Sequence, residues 1–559
     1  MIKRLFLPAI AILFVLPASA QEYSDSYPKN PGIDIQGYVF EITVSDETDV
    51  IQGRNTVDAR FLEGGQSRLR LDLIGKTAER GGRGMEVHRV TRGDEELSFA
   101  HANDALVIDL GMDVPAGERV KVAVEYSGIP ADGMDIGPNK YGDRTFFSDN
   151  WSSRVRNWLP VVDHPYDKAT TEMIITHPAH YQSTSNGVLK ESSNVGNGMR
   201  MTHWVNDVPT ATWLYFIGVA EMAMEVVDTW DGIPIETWVY WQDRDNGFHD
   251  FAEPSKAVLA YYSDLIGPYV NKRLGNIVSN ATPGGGMEAA SIPAYSDKSV
   301  SGNRERRWQH VIIHEIAHQW FGNAVTEYHW NDVWLSEGFA TYYTLLFREH
   351  HYGRDDFYRG LKQSRQSVRN FYQNDWEFAL VRPYIEDLNN VSGAMMYQKG
   401  AWVLHMLRER LGDATYHEGI RTYYAEFINR NAQSADLRRH LEEASGDDLE
   451  QFFDQWLFQG GIPQLEVLYW AEDGSNYLSM RQTQPDFEFD FDVEVQYEYA
   501  DGSMSDVEVI RMPIHEGEMT GANFKWTVEK DIVNVIIDPA TKLLADWTVE
   551  NRKGDWISN

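Results

Sequence analysis

Two histidines and two glutamates are the residues of this chain whose types and spacing best suit chemistry. His314, Glu315 and His318 form the pattern His-Glu-x-x-His. Residues four apart on a helix share one face, so both imidazoles can bind one metal ion while Glu315 projects beside them. A catalytic zinc ion takes three protein ligands and keeps a fourth position open for water. Glu337, in a second helical pattern for which Ser336 is the expected N-cap, is the candidate third ligand.

This set of residues predicts a zinc-dependent hydrolase with one Zn²⁺ per chain. The zinc ion would polarise a water molecule and the carbonyl group under attack. Glu315, which is not itself a ligand, is positioned to take the proton of that water and to deliver it to the leaving amine. The sequence therefore predicts a hydrolysis in which Glu315 is the general base.

Further motifs flank the zinc pattern on both sides. The His-Glu-x-x-His run continues as Gln-Trp-Phe-Gly-Asn, and Glu337 lies within Trp-Leu-Ser-Glu-Gly-Phe-Ala. A Gly-Gly-Met-Glu-Ala segment precedes them at residues 285–289, and a Tyr-Gln-Lys-Gly segment follows at residues 397–400. Four motifs in this order resemble the gluzincin aminopeptidases, the family of aminopeptidase N and the leukotriene hydrolase. The resemblance covers most of the chain that follows residue 20.

The resemblance implies a substrate site around Gly285, Gly286, Met287 and Glu288. In the family, the carboxylate equivalent to Glu288 pairs with the free α-ammonium group of a peptide, which admits only a chain end and places the first peptide bond over the metal. The glycines also suit an edge segment that a substrate backbone approaches closely. Ala289 departs from the family motif, which ends in Asn, and lacks the amide that would orient the glutamate or the substrate.

The resemblance also implies roles for residues outside that segment. Tyr397 is expected to donate a hydrogen bond to the oxyanion that forms when the scissile carbonyl becomes tetrahedral. The first domain of the family often supplies a second carboxylate or amide for the substrate amine, and in this chain Asp149 and Asn150 are the candidates. Residues 163–165 read Asp-His-Pro where the family has Asp-Glu-Pro, so this part of the first domain matches less closely.

The spacing of apolar residues along the sequence predicts an α+β multidomain chain. Residues 21–226 contain several runs that alternate apolar and polar residues, which predicts an N-terminal antiparallel β saddle. Residues 227–462 carry apolar residues at three- and four-residue spacing, which predicts a mainly α catalytic domain; the resemblance implies that this domain is thermolysin-like. Alternation returns at residues 487–499, so residues 463–559 are expected to form a C-terminal β-sandwich.

The amino-terminal residues predict export. Residues 1–20 combine Lys3 and Arg4 with an apolar run and a small-x-small end at Ala20, which are the features of a cleaved secretory signal peptide. We therefore expect a secreted or periplasmic protein whose mature chain starts at Gln21. No other stretch approaches the length of an apolar membrane helix, so no stable membrane insertion is expected after cleavage.

The composition excludes several classes of protein. The chain of 559 residues is 42% hydrophobic and has 18 Trp and 28 Tyr, which is too much apolar surface for a disordered protein. Its formal net charge of -34 argues against nucleic acid as a partner, because phosphates would be repelled. It has 0 Cys, so no disulfide adds to stability after export.

The leading hypothesis is a secreted zinc aminopeptidase that removes N-terminal amino acids from peptides with a free N-terminus. A zinc endopeptidase, or another zinc hydrolase on the same fold, would keep the chemistry and change the substrate. A catalytically silent binding protein is the third hypothesis, and the intact zinc ligands, Glu315 and Tyr397 argue against it.

Overall fold

The computed structural model of the protein describes residues 24–282, 284–388, 391, 393–485, 487–513, 521–527 and 530–554. The expected signal peptide at residues 1–20 lies outside these ranges. Within them, no helix is long and apolar enough to cross a membrane. The chain forms a β-rich amino-terminal region, a mainly helical middle region that carries the zinc motif, and a β-rich carboxyl-terminal region. The predicted fold class is thereby confirmed.

An eight-stranded sheet forms the larger part of the amino-terminal region. Its strands, in spatial order, are Val188–Gly196, Met199–Ala211, Lys168–Pro178, Ile33–Thr43, Ile51–Phe61, Arg119–Ile129, Gly84–Arg92 and Glu95–Glu96. Alternate side chains such as Tyr38, Phe40 and Ile42 are buried, as in a sheet with one face on the core. All neighbours are antiparallel except Ile33–Thr43 and Lys168–Pro178. The saddle therefore contains one parallel pair, which the long chain between these two strands makes possible.

Two smaller sheets complete this region. One contains Gln66–Asp72, Ala105–Val114 and Phe99–Ala102, and the other contains Met134–Pro138, Arg144–Ser148, Ile217–Ala220 and Gln182–Ser185. Short 3-10 turns lie at Val155–Asn157 and Thr212–Leu214. Asp149 follows Arg144–Ser148 directly, so this sheet sets where the candidate amine-binding residues stand.

The middle region is built mainly from helices. They are α1 (Arg244–Phe251), α2 (Ser255–Leu265), α3 (Arg306–Ala317), α4 (Trp334–Tyr352), α5 (Arg354–Tyr372), α6 (Ala394–Leu411), α7 (Asp413–Phe427), α8 (Ser434–Ser445) and α9 (Glu450–Phe453), which continues as a π-helical turn at Asp454–Phe458. Short 3-10 turns lie at Trp241–Asp243, Asp297–Ser299 and Trp330–Asp332. Helices α3 and α4 carry the predicted metal ligands, and α5 and α6 pack against α4.

A five-stranded sheet lies beside these helices. Its strands, in spatial order, are Met222–Trp230, Ile233–Tyr240, Leu274–Ser279, Ala294–Ser296 and Gly286–Met287. The edge position of Gly286–Met287 leaves one side of that strand open to an extended peptide. Two short parallel pairs join distant segments, Ser24–Asp25 with Tyr384–Ile385 and Val325–Glu327 with Arg430–Ala432. The predicted limit between residues 226 and 227 falls within Met222–Trp230, and the domain limits stay predictions.

Two sheets form the carboxyl-terminal region. One has the order Gly521–Thr527, Ser475–Gln482, Gln464–Glu472 and Asp546–Asn551, and the other has the order Glu508–Met512, Phe491–Tyr499 and Ile532–Ile537. Phe491, Val493 and Val495 alternate into the core, as the pattern predicted. Arg365 of α5 connects the helices to this region, because its Nη1 donates to Asp538 Oδ2 at 2.6 Å and to Leu543 O at 3.1 Å.

Helices α4 and α6 touch through two glycines. A Cβ atom added to Gly338 would lie 2.9 Å from Gly400 Cα, which is closer than side chains tolerate. The two helices therefore approach at backbone distance. This contact brings Tyr397 of α6 beside Glu337 of α4, and the Tyr397 hydroxyl lies 2.6 Å from Glu337 Oε1.

Replacement of Gly400 by alanine is expected to force α4 and α6 apart. We expect Gly400→Ala to lower the free energy of unfolding by about 1–3 kcal/mol, because overpacking at this contact strains both backbones. Gly137→Ala is the control, since an added Cβ there meets only Asp135 Oδ1 at 3.8 Å, and it should change the value by less than about 0.5 kcal/mol. Urea unfolding measures both variants, and equal stabilities would contradict a backbone contact between the helices.

Candidate active site

His314, His318 and Glu337 each direct one ligand atom to a common position. His314 lies in the last turn of α3, His318 follows α3 directly, and Glu337 lies in the first turn of α4. The two imidazole Nε2 atoms are 3.1 Å apart, and Glu337 Oε2 lies 3.5 Å from His314 Nε2 and 3.3 Å from His318 Nε2. The three residues that the sequence suggested as ligands of one metal ion are therefore brought together by the fold.

These three donors fit a zinc ion. Two imidazole nitrogens and one carboxylate oxygen form the donor set of an open catalytic zinc site. Glu337 Oε2 is buried and has no hydrogen-bond partner among the described residues, so a cation would satisfy it. Although burial opposes it, His314 and His318 lower the pKa of Glu337 to about 2. The carboxylate is therefore ionised, as metal binding requires.

The second ring nitrogen of His318 is also held. His318 Nδ1 lies 3.1 Å from Phe321 O and 3.2 Å from Ser336 Oγ. A hydrogen bond from Nδ1 to a carbonyl leaves Nε2 free to bind a metal and fixes the direction of the ring.

The expectation that Ser336 is an N-cap is wrong, because the chain enters α4 from a 3-10 turn and is already helical at Trp334.

Glu288 and Glu315 add two buried carboxyl groups next to the ligands. Their side chains belong to residues that are only 5% and 4% exposed. Burial, and then the charge of Glu288, raises the pKa of Glu315 well above its usual range. Although burial opposes it, Glu288 and Glu337 raise the pKa of His318 to about 10. The site therefore has a strongly negative potential, which favours a divalent cation and an ammonium group.

The edge strand Gly286–Met287 leads directly to Glu288. Glu288 Oε1 is buried without a partner among the described residues and lies 3.9 Å from His318 Nε2. The main-chain carbonyl of Glu288 accepts hydrogen bonds from Gln319 Nε2 at 3.2 Å and from Asn323 Nδ2 at 2.7 Å. Gln319 and Asn323 thus position the Glu288 segment. The sequence analysis gave them no role, although both lie in the run that continues the zinc motif.

Gly285 and Gly286 line the cleft that contains the metal ligands, whereas Met287 does not. A Cβ atom on Gly286 would collide with the Glu315 carboxyl group, so glycine is required where the strand passes this close. Met287 is 5% exposed and packs in the hydrophobic core. The Met287 side chain therefore lies away from the cleft, because successive residues of a strand point to opposite faces, and the edge strand offers its main chain to a substrate at this position. Ala289 is buried as well.

Tyr397 stands beside the metal ligands. Its hydroxyl donates to Glu337 Oε1 at 2.6 Å, and its ring stacks on that of His314 with 5.9 Å between the ring centroids. Both contacts are made possible by the close approach of α4 and α6. A phenol at this position can reach an oxygen that develops negative charge next to the ligands.

The structure separates the two candidates for a second amine contact. Asn150 Nδ2 donates to Tyr215 O at 2.6 Å, and Asn150 Oδ1 accepts from Trp158 Nε1 at 2.9 Å. Because both ends of the amide are used in the core, Asn150 is not available to a substrate and that assignment is corrected. Burial raises the pKa of Glu288, and the charges of Glu337 and, to a smaller extent, Asp149 act in the same direction. Asp149 Oδ1 accepts a hydrogen bond from Arg154 Nη2 at 2.7 Å. Asp149 remains the candidate.

A cleft of about 550 Å³ contains the metal ligands, Glu288, Glu315 and Tyr397. Its walls are the edge strand and faces of α3, α4, α5 and α6. Beyond the metal ligands it is lined by residues to which the sequence analysis gave no role, among them His310, Arg348 and Gln363. On α4 the lining positions 337, 341, 344 and 348 recur every three or four residues. This helical spacing is a signal that could have indicated the extended cleft.

Two family models match the chain. The Peptidase M1 N-terminal domain matches residues 37–214, and the Peptidase family M1 domain matches residues 251–456. The first match covers most of the β-rich amino-terminal region. The second covers α2 to α9 with the zinc motif and the Glu288 segment.

Several curated proteins and solved structures are similar to this chain. The glutamyl aminopeptidase of Mus musculus is 26% identical over 334 residues, which is 57% of this chain and 35% of that protein. The aminopeptidase N of Lactococcus lactis subsp. lactis is 27% identical over 407 residues, 68% of this chain and 47% of that protein. The chain thus spans less than half the length of either relative.

A solved structure of an M1 zinc metallopeptidase variant from Deinococcus radiodurans, bound to a Tyr-Ser-Ala substrate, has a TM-score of 0.65 and 25% identity. The alignment covers 76% of this chain and 94% of that chain. A second structure of the metallopeptidase from the same organism, with 24% identity and a TM-score of 0.64, covers 76% of this chain and 93% of that one. The second structure shares the fold.

Zinc binding tests the ligand set. We expect one zinc ion per chain in the wild-type protein and at least about 100-fold weaker binding in Glu337→Gln, because the amide carries no charge to hold the ion. Glu315→Gln is the matched control: it makes the same change beside the ligands, leaves the three donors intact and should retain the metal. Competition with a chromogenic chelator measures both affinities, and equal values would remove Glu337 from the ligand set.

Proposed function

This chain belongs to peptidase family M1, and from that premise we propose that it is a zinc aminopeptidase that removes N-terminal amino acids from peptides. The observation that carries the proposal is the buried Glu288 carboxylate, whose Oε1 has no hydrogen-bond partner among the described residues and lies 3.9 Å from His318 Nε2. An ammonium group satisfies such an oxygen through a charge-assisted hydrogen bond. Only the first residue of a peptide carries an α-ammonium group.

The similar proteins support this substrate class. The curated relatives are named glutamyl aminopeptidase and aminopeptidase N, and the Deinococcus radiodurans variant is bound to a peptide with tyrosine at its amino end. Peptides with a free amino end are therefore the substrates we assign to this chain. The Glu288 carboxylate would hold the first residue, and the bond that follows that residue would lie at the ligands.

The proton transfers are assigned to Glu315. A zinc ion held by His314, His318 and Glu337 supplies Lewis-acid polarisation of the scissile carbonyl and of a water molecule. Glu315 accepts the proton of that water, because its carboxyl group lies in the cleft beside the ligands and is not itself a ligand. The same carboxyl group then delivers the proton to the nitrogen of the leaving amine.

Tyr397 and Glu288 position charge around the reacting carbonyl. The Tyr397 hydroxyl, which lies 2.6 Å from Glu337 Oε1, is placed to donate to the carbonyl oxygen as that oxygen gains negative charge. Glu288 excludes longer chain segments, because a peptide bond in mid-chain offers its carboxylate no ammonium group. The buried carboxylate then stays without a partner, which is unfavourable.

We also propose that the protein is exported, either to a periplasm or to the medium, and cleaved after Ala20. The basic start, the short apolar run and the small residues before Gln21 support this. Amino-terminal sequencing of the protein recovered outside the cytoplasm should begin at Gln21. Recovery of a chain that retains residues 1–20 would contradict the proposed cleavage.

Hydrolysis of aminoacyl fluorogenic amides and of their N-acetylated forms tests the aminopeptidase function. We expect the free-amine substrates to be cleaved and the acetylated ones to react at least about 100-fold more slowly, because acetylation removes the charge that pairs with Glu288. A zinc chelator should abolish the activity, and added zinc should restore it. Equal cleavage of blocked substrates would identify an endopeptidase, and silence across the panel would favour a binding protein.

Two variants separate the roles of the carboxyl groups in the same assay. Glu288→Gln should lose most of the preference for free-amine substrates, because its amide cannot form an ion pair with the ammonium group. Glu315→Gln should lower kcat by about 10²–10⁴-fold on every substrate while it retains zinc, because the proton acceptor is gone. A normal kcat in Glu315→Gln would show that another group is the general base.

A further inference from the structure

The far part of the cleft, beyond the metal ligands, is lined by cationic and neutral polar side chains. His310 lies one helical turn before His314 on α3, and Arg348 lies three turns beyond Glu337 on α4. Gln363 of α5 faces the same space. The hydrolysis described above uses none of His310, Arg348 and Gln363, although they share its cleft.

The guanidinium group of Arg348 has one side held and one side open. Arg348 Nε donates to Asp356 Oδ2 at 2.8 Å, and Nη2 donates to Asp356 O at 3.3 Å. Nη1 has no acceptor among the described residues and would lie 3.2 Å from a Cβ atom on Gly360. The side chain of Arg348 is 11% exposed and lines the cleft. An acceptor for Nη1 therefore has to enter through the cleft.

Arg348 belongs to a cluster of positive charge. Asp356 also pairs with Arg306 at 2.8 Å and with Arg359 at 3.0 Å. Three guanidinium groups share this one carboxylate, so the cluster carries a net positive charge in a chain whose formal charge is -34. Burial, and then Arg348 and Arg306, lower the pKa of His310 to about 4, so this imidazole is neutral. Of the three arginines, Arg348 is the one that is buried and lines the cleft, and its positive charge favours an anion there.

The two ends of the cleft thus have opposite charge. The carboxyl groups of Glu288, Glu315 and the ionised ligand Glu337 lie at one end, and the guanidinium group of Arg348 lies at the other. A short peptide has the matching polarity, with an ammonium group at its first residue and a carboxylate at its last. Walls of low dielectric constant strengthen both attractions relative to water.

We propose that Arg348 binds a carboxylate on the leaving part of the substrate, an inference that rests on the aminopeptidase function proposed above. Arg348 follows Glu337 on α4 by about 16 Å along the axis, and its side chain points back toward the start of the helix. An extended peptide covers about 3.3–3.6 Å per residue. The carboxylate of a residue two or three positions beyond the cut bond therefore reaches the guanidinium group.

Two sources can supply that carboxylate, and pairs of tetrapeptides distinguish them. The first pair is Leu-Ala-Ala-Ala with a free carboxyl end and its C-terminal amide. The second pair is the C-terminal amides of Leu-Ala-Glu-Ala and Leu-Ala-Gln-Ala. We expect kcat/KM of the wild-type protein to be about tenfold higher for the carboxylate member of one or both pairs. The pair that shows the preference identifies a main-chain or a side-chain carboxylate.

The variant Arg348→Met is expected to abolish this preference. The ratio of kcat/KM within the responsive pair should fall to about 1, mainly through a higher KM for the carboxylate substrate, because only a binding contact is lost. Arg359→Met is the matched control: it removes another partner of Asp356 whose side chain is 62% exposed and lies outside the cleft, and it should keep the wild-type ratio. Arg348→Lys keeps the charge without the planar fork, so it should lower the ratio severalfold even where Arg348→Met fails to fold.

Leucyl aminomethylcoumarin amide distinguishes a failure of the proposed aminopeptidase function from a failure of the proposed role of Arg348, because this substrate is too short to reach Arg348. If the wild-type protein hydrolyses neither this amide nor any other member of the aminoacyl panel, the proposed aminopeptidase function is wrong, and the inference falls with it. Hydrolysis of this amide without a carboxylate preference in either tetrapeptide pair would overturn the role of Arg348 alone. A preference that persists in both Arg348→Met and Arg348→Lys would overturn it in the same way.

Discussion

Two helices that meet at backbone distance set the geometry of the site. Gly338 follows the ligand Glu337 directly on α4, and Gly400 lies one turn after Tyr397 on α6. Because neither glycine has a Cβ atom, the ligand carboxylate and the phenol meet at 2.6 Å. The other functional groups are arranged around this pair, since α3 brings its two histidines to Glu337 and the edge strand brings Glu288 to those histidines. A wider spacing of α4 and α6 would separate the metal ligand from the oxyanion donor.

Burial gives three glutamates of one cleft three different properties. Glu337 faces two imidazoles and is ionised, which suits a metal ligand. Glu315 lies beside the ligands without being one of them, and burial and the charge of Glu288 raise its pKa, which suits a group that takes up a proton and returns it. Glu288 keeps one buried oxygen without a partner, which suits an ammonium group. The neighbours of each carboxyl group, rather than its residue type, therefore decide its task.

Local spacing was sufficient to predict the two histidine ligands, because residues four apart share a helix face whatever the tertiary structure, whereas Glu337 meets them only through the packing of α4 on α3. Period-two and helical patterns likewise indicated the three regions of the fold. The side chains that the sequence could not place depend on contacts between distant segments. Asn150 is held in the core by the carbonyl of Tyr215, and Met287 points inward because of a strand register that nothing nearby encodes. Arg348 of α4 lines the same cleft as residues of α5, and no single helix pattern reveals that these two helices pack together.

The carboxyl-terminal region contributes none of its described residues to the cleft, yet it supports one of its walls. Arg365 of α5 is 9% exposed, follows the cleft residue Ser364, and finds its acceptors at Asp538 and Leu543 in that region. A buried guanidinium group that loses its acceptors is strongly destabilising, so the position of α5 depends on the segment that connects Ile532–Ile537 to Asp546–Asn551. The two carboxyl-terminal sheets thus support α5 from outside the cleft. The stability of their packing is therefore expected to affect the width of the cleft, although none of their described residues lines it.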